Sequence, residues 1–330
     1  MTIPLIEVVR GGVVESRHRV AVSVSDDAGP VAHVGPDAEW VFLRSAAKPM
    51  QALPLVEEGV VERFGLTQAE LALCCASHEG EPEHVSGARS ILAKAGADES
   101  LLECGPHLPF SPDATRAVLS DGGAPERVHN NCSGKHAGMV ALAVAMGWDP
   151  AGYHAYDHPV QRRMAAEMTR WSGLPESEIP TGVDGCGIVC FAMALPVMAT
   201  VFARFASAAR DGETTGRVVE AMTSHPFMVG GTGRACTDVM AQAGGRAFVK
   251  LGAEGVYGGG VPDLGLGFSI KVMDGGRRAV EVALVHTLAA LGVFDDADVT
   301  ALAKHGRPPV LNTRDEVVGE VRPAFDLALP

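Results

Sequence analysis

The sequence predicts an α/β fold in which strands and helices have an α+β arrangement: a mainly antiparallel sheet is built from strands at both ends of the chain and is flanked by helices. Alternating apolar residues, which are typical of half-buried strands, occur within about 1–44 and again within about 246–330. Helical periodicity dominates the region of about 45–245. A chain of 330 residues can bury a large core. We therefore predict a single domain over 1–330, with a sheet subdomain from the two ends and a mainly helical region between them.

Composition and charge favour a globular enzyme over several other classes of protein. Hydrophobic residues make up 47% of the chain and charged residues 20%, which is typical of a packed protein rather than a disordered one. The formal net charge is −13 and no basic run occurs, which argues against a nucleic-acid surface and against binding to an anionic membrane. We find no export signal and no membrane span, and the seven cysteines are an odd number, which favours reduced thiols. We therefore expect a cytoplasmic protein.

The first predicted elements lead directly to a serine. Residues 6–34 alternate apolar and polar side chains around a turn at Gly11-Gly12, which predicts an antiparallel meander. Residues 40–43 form a short apolar run that predicts another strand, and this run ends just before Ser45. A predicted strand therefore leads directly into Ser45.

Helical patterns fill the middle of the chain and strands return at its end. Thr67 with Glu70 three residues later predicts a capping box at the start of one helix. The predicted helices cover 46–58, 67–75, 85–95, 113–121, 137–146, 159–171, 188–209, 218–224 and 236–243. The predicted later elements are strands over 247–250, over 268–273 and from residue 278 onward, a helix over 282–292, and an extended segment over 309–321.

A hydroxyl and an amine three residues apart form the first candidate site. Ser45 and Lys48 lie in an apolar stretch, and a helix that opens at Ser45 would put both side chains on one face. A neutral Lys48 amine could then take the hydroxyl proton, provided that burial or a second cation lowers its pKa. The same spacing occurs by chance in many proteins, usually with a solvated lysine. Pro49 disfavours a regular helix here, so we also predict a free Ser45 carbonyl and a distorted first turn.

Two other segments carry titratable groups in unusual settings. Residues 76–84, which include Ser77, place two histidines and three glutamates in one short loop, and such a loop is either solvated or functional. Lys250 follows a predicted strand among apolar and glycine residues. Backbone N–H groups in such surroundings can hold an oxyanion, whereas a lysine that extends its amine into solvent is the alternative.

A cysteine-containing segment predicts either a metal site or a buried helix cap. Residues 130–138 combine amides with Cys132, Lys135 and His136 ahead of a helix, and the glycine spacing of a phosphate loop is absent. Cys132 and Cys186 would suit tetrahedral zinc if His136 or a neutral Lys135 supplied a nitrogen ligand. Two buried cysteines without a metal are the alternative that the spacing leaves open.

Five segments of the chain, in this order, carry a resemblance that covers most of its length. They are Leu43-Arg44-Ser45-Ala46-Ala47-Lys48-Pro49, Ala76-Ser77-His78, Asn131-Cys132-Ser133-Gly134-Lys135-His136, Asp184-Gly185-Cys186 and Lys250-x-Gly-x-Glu-Gly. Together they resemble the Rhizobium etli-type L-asparaginases, the asparaginase II family. The resemblance implies the architecture of serine β-lactamases, penicillin-binding proteins and glutaminases, which agrees with the predicted sheet and helices.

The resemblance also implies a reaction and the residues that carry it. It implies hydrolysis of L-asparagine to L-aspartate and ammonia by a homodimer with a zinc centre. The implied catalytic pairs are Ser45 with Lys48 and Ser77 with Lys250. The implied zinc ligands are Cys132, Lys135 and Cys186, and the further positions that match residues lining the site are Arg44, His136, Asp184 and Cys236.

This residue set makes chemical sense for amide hydrolysis. Two amines in one pocket disfavour each other's protonation, so at least one lysine should be neutral near neutral pH. We expect Ser45 to attack the side-chain amide carbon, Lys48 to accept its proton, and backbone donors to hold the tetrahedral intermediate. Water would then hydrolyse the acyl-enzyme, with Ser77 and Lys250 relaying protons or activating that water. The zinc would position the substrate or a water, or it would be purely structural.

Two other functions remain open on the sequence alone. A serine acyl hydrolase of the β-lactamase or penicillin-binding type shares the S-x-x-K motif, but no S-D-N or K-T-G signature is present and Lys250-Leu251-Gly252 is only a partial match. A non-catalytic metal- or amino-acid-binding protein is the other alternative. The presence of both serines and both lysines argues against it.

Overall fold

The chain forms two compact units. The computed structural model describes residues 5–36, 40–120 and 122–329. The sheet unit comprises Met1–Ala46, Ala192–Arg210 and Asp238–Pro330, and the helical unit comprises Ala47–Phe191 and Asp211–Thr237. That the chain is a single domain stays a prediction. Within the described ranges, no helix is both long enough and apolar enough to cross a membrane.

The described strands and helices alternate along the chain in blocks. The strands are β1 (Leu5–Arg10), β2 (Val13–Ser25), β3 (Pro30–Val34), β4 (Trp40–Phe42), β5 (Thr181–Val183), β6 (Val189–Ala194), β7 (Phe248–Gly252), β8 (Val256–Val261), β9 (Leu266–Val272), β10 (Pro309–Leu311) and β11 (Val317–Ala324). The helices are α1 (Lys48–Glu57), α2 (Val60–Phe64), α3 (Gln68–Cys74), α4 (Pro82–Lys94), α5 (Pro112–Ser120), α6 (Ser133–Met146), α7 (Pro159–Ser172), α8 (Leu195–Asp211), α9 (Glu213–Ser224), α10 (Pro226–Val229), α11 (Ala235–Ala243), α12 (Arg277–Ala290), α13 (Asp296–Ala301) and α14 (Ala303–Gly306).

Eight of the described strands form one antiparallel sheet in the sheet unit. Its order is β10-β11-β1-β2-β9-β8-β7, and β3 also pairs with β2. β1 pairs with β11, with Leu5 opposite Ala324, so strands from the two ends of the chain are neighbours. The predicted architecture, a mainly antiparallel sheet built from N- and C-terminal strands and accompanied by helices, is therefore confirmed.

The strand β8 carries three consecutive glycines because neighbouring groups occupy the space of their side chains. A Cβ atom built on Gly258 would lie 2.0 Å from the Phe202 ring, and one on Gly260 would lie 2.7 Å from the Phe248 ring. Gly267 on β9 has the same constraint, since its Cβ would lie 2.0 Å from the backbone nitrogen of Ala203 on α8. Any larger residue would force these groups apart, so α8 packs directly on the backbone of the sheet.

The helix α6 runs through the core of the helical unit. Its first eleven residues, 133–143, are all buried. A Cβ on Gly134 would lie 2.4 Å from the carbonyl oxygen of Leu73, and one on Gly138 would lie 2.8 Å from Cys74 Sγ, both on α3. The two glycines therefore allow α3 and α6 to pack closely, which places the polar first turn of α6 next to the end of α3.

The predicted capping box on α3 is confirmed. The Glu70 N–H donates to Thr67 Oγ1 at 3.2 Å, and the Thr67 N–H donates to Glu70 Oε2 at 2.6 Å. These bonds satisfy two backbone donors that the first helical turn would otherwise leave without partners.

Two predicted elements are wrong. The helix predicted over 188–209 begins with a strand, β6, and only α8 is helical, because a buried apolar run that starts with Val189-Cys190-Phe191 fits either structure. Within the sheet unit the end of β6 pairs with β4, and within the helical unit its start pairs with β5. The strand predicted from residue 278 onward is instead part of α12, which starts directly after the turn at 274–276.

Candidate active site

The segment that carries Ser45 follows β4 and is not a regular α-helix. A 3-10 helix covers Arg44–Ala47, and α1 begins only at Lys48, with Pro49 in its first turn. Arg44 has a φ of 50°, a left-handed conformation that is uncommon for residues other than glycine. The distorted turn predicted from Pro49 is therefore present at the partly exposed Ser45.

The amine of Lys48 is buried and has three hydrogen-bond acceptors. Its side chain is 1% exposed. Nζ donates to Ser77 Oγ at 3.0 Å, to Cys132 Sγ at 3.1 Å and to the Ala76 carbonyl. An ammonium has three N–H donors, so these acceptors match its charged form, whereas a neutral amine would present a lone pair to the Ser77 hydroxyl. Lys48 can therefore exchange a proton with Ser77 directly.

Backbone and side-chain bonds fix the loop that carries Ser77. The Ser77 N–H donates to the Val229 carbonyl at 3.0 Å, and the His78 N–H donates to the Asn131 carbonyl at 3.0 Å. His78 Nε2 is 3.0 Å from Ser133 Oγ, and burial lowers the pKa of His78 well below its usual value. His78 is therefore a neutral imidazole that ties the Ser77 loop to the first turn of α6.

Two thiols and a second amine lie beside Lys48. Cys132 is the N-cap of α6 and Lys135 lies in its first turn, so both side chains point to the same side. Lys135 Nζ donates to Cys186 Sγ at 2.9 Å. The loop of Cys186 is closed by the Asp184 N–H, which donates to the Ile188 carbonyl at 2.8 Å. We call Lys48, Cys132, Lys135 and Cys186 the thiol–amine cluster.

Electrostatics in the thiol–amine cluster favour the thiolate form of Cys132. A hydrogen bond from Cys186 lowers the pKa of Cys132 well below its usual value against the effect of burial, and the charges of Lys48 and Lys135 lower it further. The same sulfur–sulfur hydrogen bond, together with burial, raises the pKa of Cys186. Burial acts to lower the pKa of Lys135, but the two sulfurs outweigh it and the pKa is raised. The cluster thus places a thiol of lowered pKa beside two lysine amines.

The donor atoms of this cluster fit a thiophilic metal ion. Among the described residues, no group of three or more His, Cys, Asp or Glu side chains is arranged to hold a metal. The candidate ligands are instead two thiols and one amine, Cys132, Cys186 and Lys135, which contact one another and are at most 5% exposed. Thiolate and nitrogen donors suit zinc, although Lys135 would have to give up its proton to bind. The residues present therefore fit the predicted zinc.

His136 is held by a tyrosine that the sequence does not single out. Tyr153 lies in a turn between α6 and α7 and is 0% exposed. His136 Nδ1 is 2.5 Å from Tyr153 Oη, and the Glu103 N–H donates to the same oxygen at 3.0 Å. Burial lowers the pKa of His136 well below its usual value, and the charges of Lys135 and Lys48 lower it further. His136 is thus neutral and lies in the field of the thiol–amine cluster.

A buried ion pair that no sequence motif indicates joins two loops of the helical unit. Arg234 Nη1 donates to Glu79 Oε1 at 2.7 Å, and both side chains are 11% exposed. Glu81 accepts from the Thr232 N–H at 2.8 Å. The charge-rich loop 76–84 therefore has a structural role: it anchors the turn that precedes α11.

Lys250 is fully buried on β7 of the sheet unit. It is 0% exposed, and Nζ donates to the Leu251 carbonyl at 2.9 Å. A Cβ on Gly252 would lie 2.6 Å from the Leu43 carbonyl oxygen. Within the sheet unit, the end of β7 therefore packs against the segment that leads to Ser45, and the buried position excludes the solvent-exposed alternative for this lysine.

The helical unit brings together most of the predicted site residues. Hydrogen bonds connect Lys48, Ser77, Cys132, Lys135 and Cys186, and Asp184 Oδ2 is 3.6 Å from Cys186 Sγ. The predicted Cys236 is 4% exposed in the first turn of α11. That Ser45 pairs with Lys48, and Ser77 with Lys250, stays a prediction.

The sheet unit also has a large cavity that contains none of the predicted residues. Its volume is about 1410 Å³, and His286, Arg307 and Phe325 are among the residues that line it. Size alone does not indicate catalysis: burial lowers the pKa of His286 in the cavity wall, but none of the predicted catalytic or ligand residues lines the cavity.

Comparisons with known proteins identify one family. The profile of the L-asparaginase II family matches residues 6–323. Among solved structures, a β-lactamase from Mycobacterium bovis is similar at 18% identity, with 83% of this chain and 95% of that chain covered and a TM-score of 0.40. A candidate β-lactamase from Bacteroides dorei is similar at 14% identity, with 77% and 84% covered and a TM-score of 0.40. A search of curated proteins found no match.

Proposed function

Because the chain belongs to the L-asparaginase II family, we propose that it hydrolyses L-asparagine to L-aspartate and ammonia. Membership in the family makes it an asparaginase-type amidohydrolase with a small-molecule substrate. The observation that carries the more specific proposal is the buried Lys48 amine, which contacts the Ser77 hydroxyl and the Cys132 thiol. These three groups come from three of the segments that resemble the family.

In the proposed mechanism, Ser45 is the nucleophile. Its oxygen attacks the side-chain amide carbon while Lys48, in its neutral form, accepts the hydroxyl proton. The tetrahedral intermediate collapses as its nitrogen takes a proton and leaves as ammonia. Water then attacks the aspartyl ester, and the Ser45 oxygen regains a proton. The short contact between Lys48 and Ser77 supports a role of Ser77 in passing protons, and Lys250 is proposed as its partner.

We further propose that zinc is the resident metal, held by Cys132, Lys135 and Cys186. When bound, such an ion supplies a positive charge that can orient a carboxylate or a water. Asp184, next to Cys186, would orient the ligand loop. A purely structural ion is the alternative. A homodimer and a cytoplasmic location complete the proposal, the first on family grounds and the second from the sequence.

Ammonia release by the purified protein tests this function. Wild type should release ammonia from L-asparagine, and L-glutamine and a β-aspartyl peptide establish its preference. The variant Ser45→Ala should lose at least about 1000-fold in kcat, because the attacking oxygen is removed. Ser86→Ala, which removes an exposed hydroxyl on α4, is the matched control and should keep wild-type kcat.

Three outcomes would contradict the proposal in different ways. Near-normal turnover by Ser45→Ala would show that another group is the nucleophile. Hydrolysis of nitrocefin without ammonia release from L-asparagine would favour a β-lactamase-type hydrolase. Binding of zinc and L-asparagine, without turnover of L-asparagine or of nitrocefin, would favour a non-catalytic binding protein.

A further inference from the structure

The loop that carries Ser77 lies against a second segment of the helical unit, residues 226–237. This segment comprises α10, a glycine-containing turn and the start of α11. The Ser77 N–H donates to the Val229 carbonyl of the segment at 3.0 Å. Two residues further along the loop, Glu79 Oε1 accepts from Arg234 Nη1 at 2.7 Å. The ion pair that anchors the turn to the loop therefore also holds the loop to the turn.

The turn of the 226–237 segment passes directly over the Glu79 side chain. Gly231 has a φ of 112°, in the left-handed region that favours glycine. A Cβ atom built on Gly231 would lie 2.8 Å from the Cβ and Cγ atoms of Glu79. Glu81 accepts from the Thr232 N–H at 2.8 Å and from its hydroxyl at 2.9 Å, which fixes the turn at a second point. Arg234, at the end of this turn, is thus brought to the Glu79 carboxylate.

The ion pair of Glu79 and Arg234 defines geometry more than it adds stability. Both side chains are buried, and the desolvation of two charges offsets most of the gain from their attraction. A hydrogen bond between a guanidinium and a carboxylate has a defined length and direction, whereas an apolar pair of the same volume tolerates sliding. What the pair provides is a fixed distance between the Ser77 loop and the 226–237 segment.

The contact between Ser77 and Lys48 depends on this distance. Ser77 Oγ lies 3.0 Å from Lys48 Nζ. Such a hydrogen bond is lost beyond about 3.5 Å, so a displacement of the loop by about half an ångström is sufficient to break it. On its other side the loop bonds to Ser133 in the first turn of α6 through His78. The ion pair and α6 together set the position of the Ser77 hydroxyl.

We propose that Arg234 is a positioning residue of the reaction: through its ion pair with Glu79 it holds the Ser77 hydroxyl in hydrogen-bond reach of Lys48. Arg234 acts through Glu79 and Ser77 and not on the substrate. The inference rests on the proposed function, in which Ser77 passes protons while water hydrolyses the acyl-enzyme. Loss of the ion pair should therefore slow that step and leave the formation of the acyl-enzyme unchanged.

The double variant Glu79→Gln with Arg234→Met removes the pair without leaving one charge buried alone. We expect kcat for L-asparagine to fall by about 10- to 100-fold, the usual effect of a displacement of up to an ångström. Because only hydrolysis of the acyl-enzyme is slowed, KM should fall with kcat, and kcat/KM should stay near wild type. Mass spectrometry of the reacting variant should show the protein carrying one aspartyl group.

The Ser77→Ala background tests whether Arg234 acts through Ser77. There the same two substitutions should change kcat by less than about twofold, since the residue through which they act has already lost its hydroxyl. Arg163→Met with Glu167→Gln is the matched control, because it removes a different buried ion pair, within α7. The control should lower stability and keep wild-type kinetics.

Arg234→Lys keeps the inference testable if the double variant folds poorly. It retains the cation on a shorter side chain, so kcat and KM should again fall together, by less than in the double variant, with no further loss in the Ser77→Ala background.

Amide hydrogen exchange tests the positioning without the reaction. The Ser77 amide should exchange at least about tenfold faster in the double variant than in wild type, while the amides of α7 should keep their wild-type rates. Wild-type exchange at Ser77, a fall in kcat/KM at constant kcat, or an equal loss of kcat in the wild-type and Ser77→Ala backgrounds would overturn the proposal. If the wild type released no ammonia from L-asparagine, the proposed function would fail, while the exchange at Ser77 would still decide whether Arg234 fixes its loop.

Discussion

Lys48 can exchange a proton with the Ser77 hydroxyl, and this exchange does not require contact with solvent. Lys48 is 1% exposed, and its three acceptors come from a backbone carbonyl, a hydroxyl and a thiol. A lysine in such a site must alternate between the ammonium that these acceptors favour and the amine that a base requires. Ser77 can take part in both states, because a hydroxyl donates as well as accepts.

Ser77→Ala should therefore slow the reaction after the acyl-enzyme has formed. We expect kcat to fall by about 100- to 10,000-fold, the usual effect of losing a proton-transfer group. Mass spectrometry of this variant after mixing with L-asparagine should show the protein carrying one aspartyl group. Ser45→Ala is the control and should carry none. An adduct on Ser45→Ala that is absent from Ser77→Ala would instead identify Ser77 as the nucleophile.

At the residue scale, the sequence was informative where a chemical motif is local. Cys132 and Lys135 share one helical turn, so their spacing alone places both side chains together. The contact of Tyr153 with His136 could not be predicted, because it depends on a turn that brings a buried tyrosine back onto α6. The pair of Glu79 and Arg234 was missed for the same reason: its partners are distant in sequence and neither lies in a motif.

At the scale of elements, three side chains of the sheet unit, each from a different helix, meet in a cluster centred on one buried histidine. His305 on α14 is 4% exposed. Its Nδ1 donates to Glu281 on α12 at 2.9 Å, and its Nε2 donates to Asp238 on α11 at 2.7 Å. Burial acts to lower the pKa of His305, but the two carboxylates outweigh it and raise the pKa. Burial acts to raise the pKa of Glu281 and of Asp238, but hydrogen bonds outweigh it, so both pKa values are lowered.

The sign of these shifts predicts how stability depends on pH. The contribution of His305 is fully present below its unfolded pKa of about 6.5 and is lost as pH rises through its raised folded value. The contributions of the carboxylates are present above their unfolded values near 4 and are lost as pH falls through their lowered folded values. The imidazolium and both carboxylates thus stabilise the fold together near pH 6.

His305→Gln should lower the free energy of unfolding by about 1–3 kcal/mol at pH 6, because it leaves two half-buried carboxylates without their shared cation. At pH 9 the difference from wild type should be smaller. Denaturant unfolding at both pH values measures it. Lys304→Met, which removes an exposed cation from the same Asp238, is the control and should cost less than about 1 kcal/mol. A larger effect of His305→Gln at pH 9 than at pH 6 would show that His305 is neutral in the folded state.

Two strands that the sequence did not predict lack the alternation of polar and apolar residues that identifies a strand. Apolar runs with no polar side chain lack the period that separates a helix from a buried strand, so β6 was assigned to the helix that follows it. β8 was not predicted at all, since three glycines in a row read as a turn and carry no hydrophobic pattern. Helices with a polar cap, such as α3, were located within one residue at each end.

At the scale of the whole molecule, the alternating patterns at the two chain ends were enough to predict one sheet. The register of β1 with β11, Leu5 opposite Ala324, could not be predicted, because it depends on how the intervening chain folds. A pairing over such a sequence distance carries a large loop-closure entropy, which slows folding. Because β1 and β11 are far apart in sequence, the stability of their pairing also depends on interactions that hold the residues between them in place.

Removal of the proposed zinc should therefore lower the melting temperature of the protein. A ligand that binds only the folded state stabilises it by mass action, at about 2.7 kcal/mol for a free concentration one hundred times Kd. Chelation should lower Tm by several degrees, and readdition of zinc should restore it while releasing protons from the ligands. Cys186→Ser should be insensitive to chelator, whereas Cys190→Ser, which removes a buried thiol outside the cluster, should respond as wild type does. An unchanged Tm and unchanged kinetics without metal would exclude both roles of the ion.

The glycines of β8 bear on how maps of mutational tolerance should be interpreted for this protein. Positions 258–260 leave no room for a side chain, since built Cβ atoms would lie within 2.0–2.7 Å of neighbouring atoms. A saturation screen that selects for activity would therefore rank them with Ser45 and Lys48, although none of the three contributes a functional group. Intolerance at Gly258 and Gly260 reflects close packing against α8, whereas intolerance at Gly259 reflects contact with the Phe268 ring. A screen would need a second selection, for folded protein alone, before it could separate the catalytic positions from these glycines.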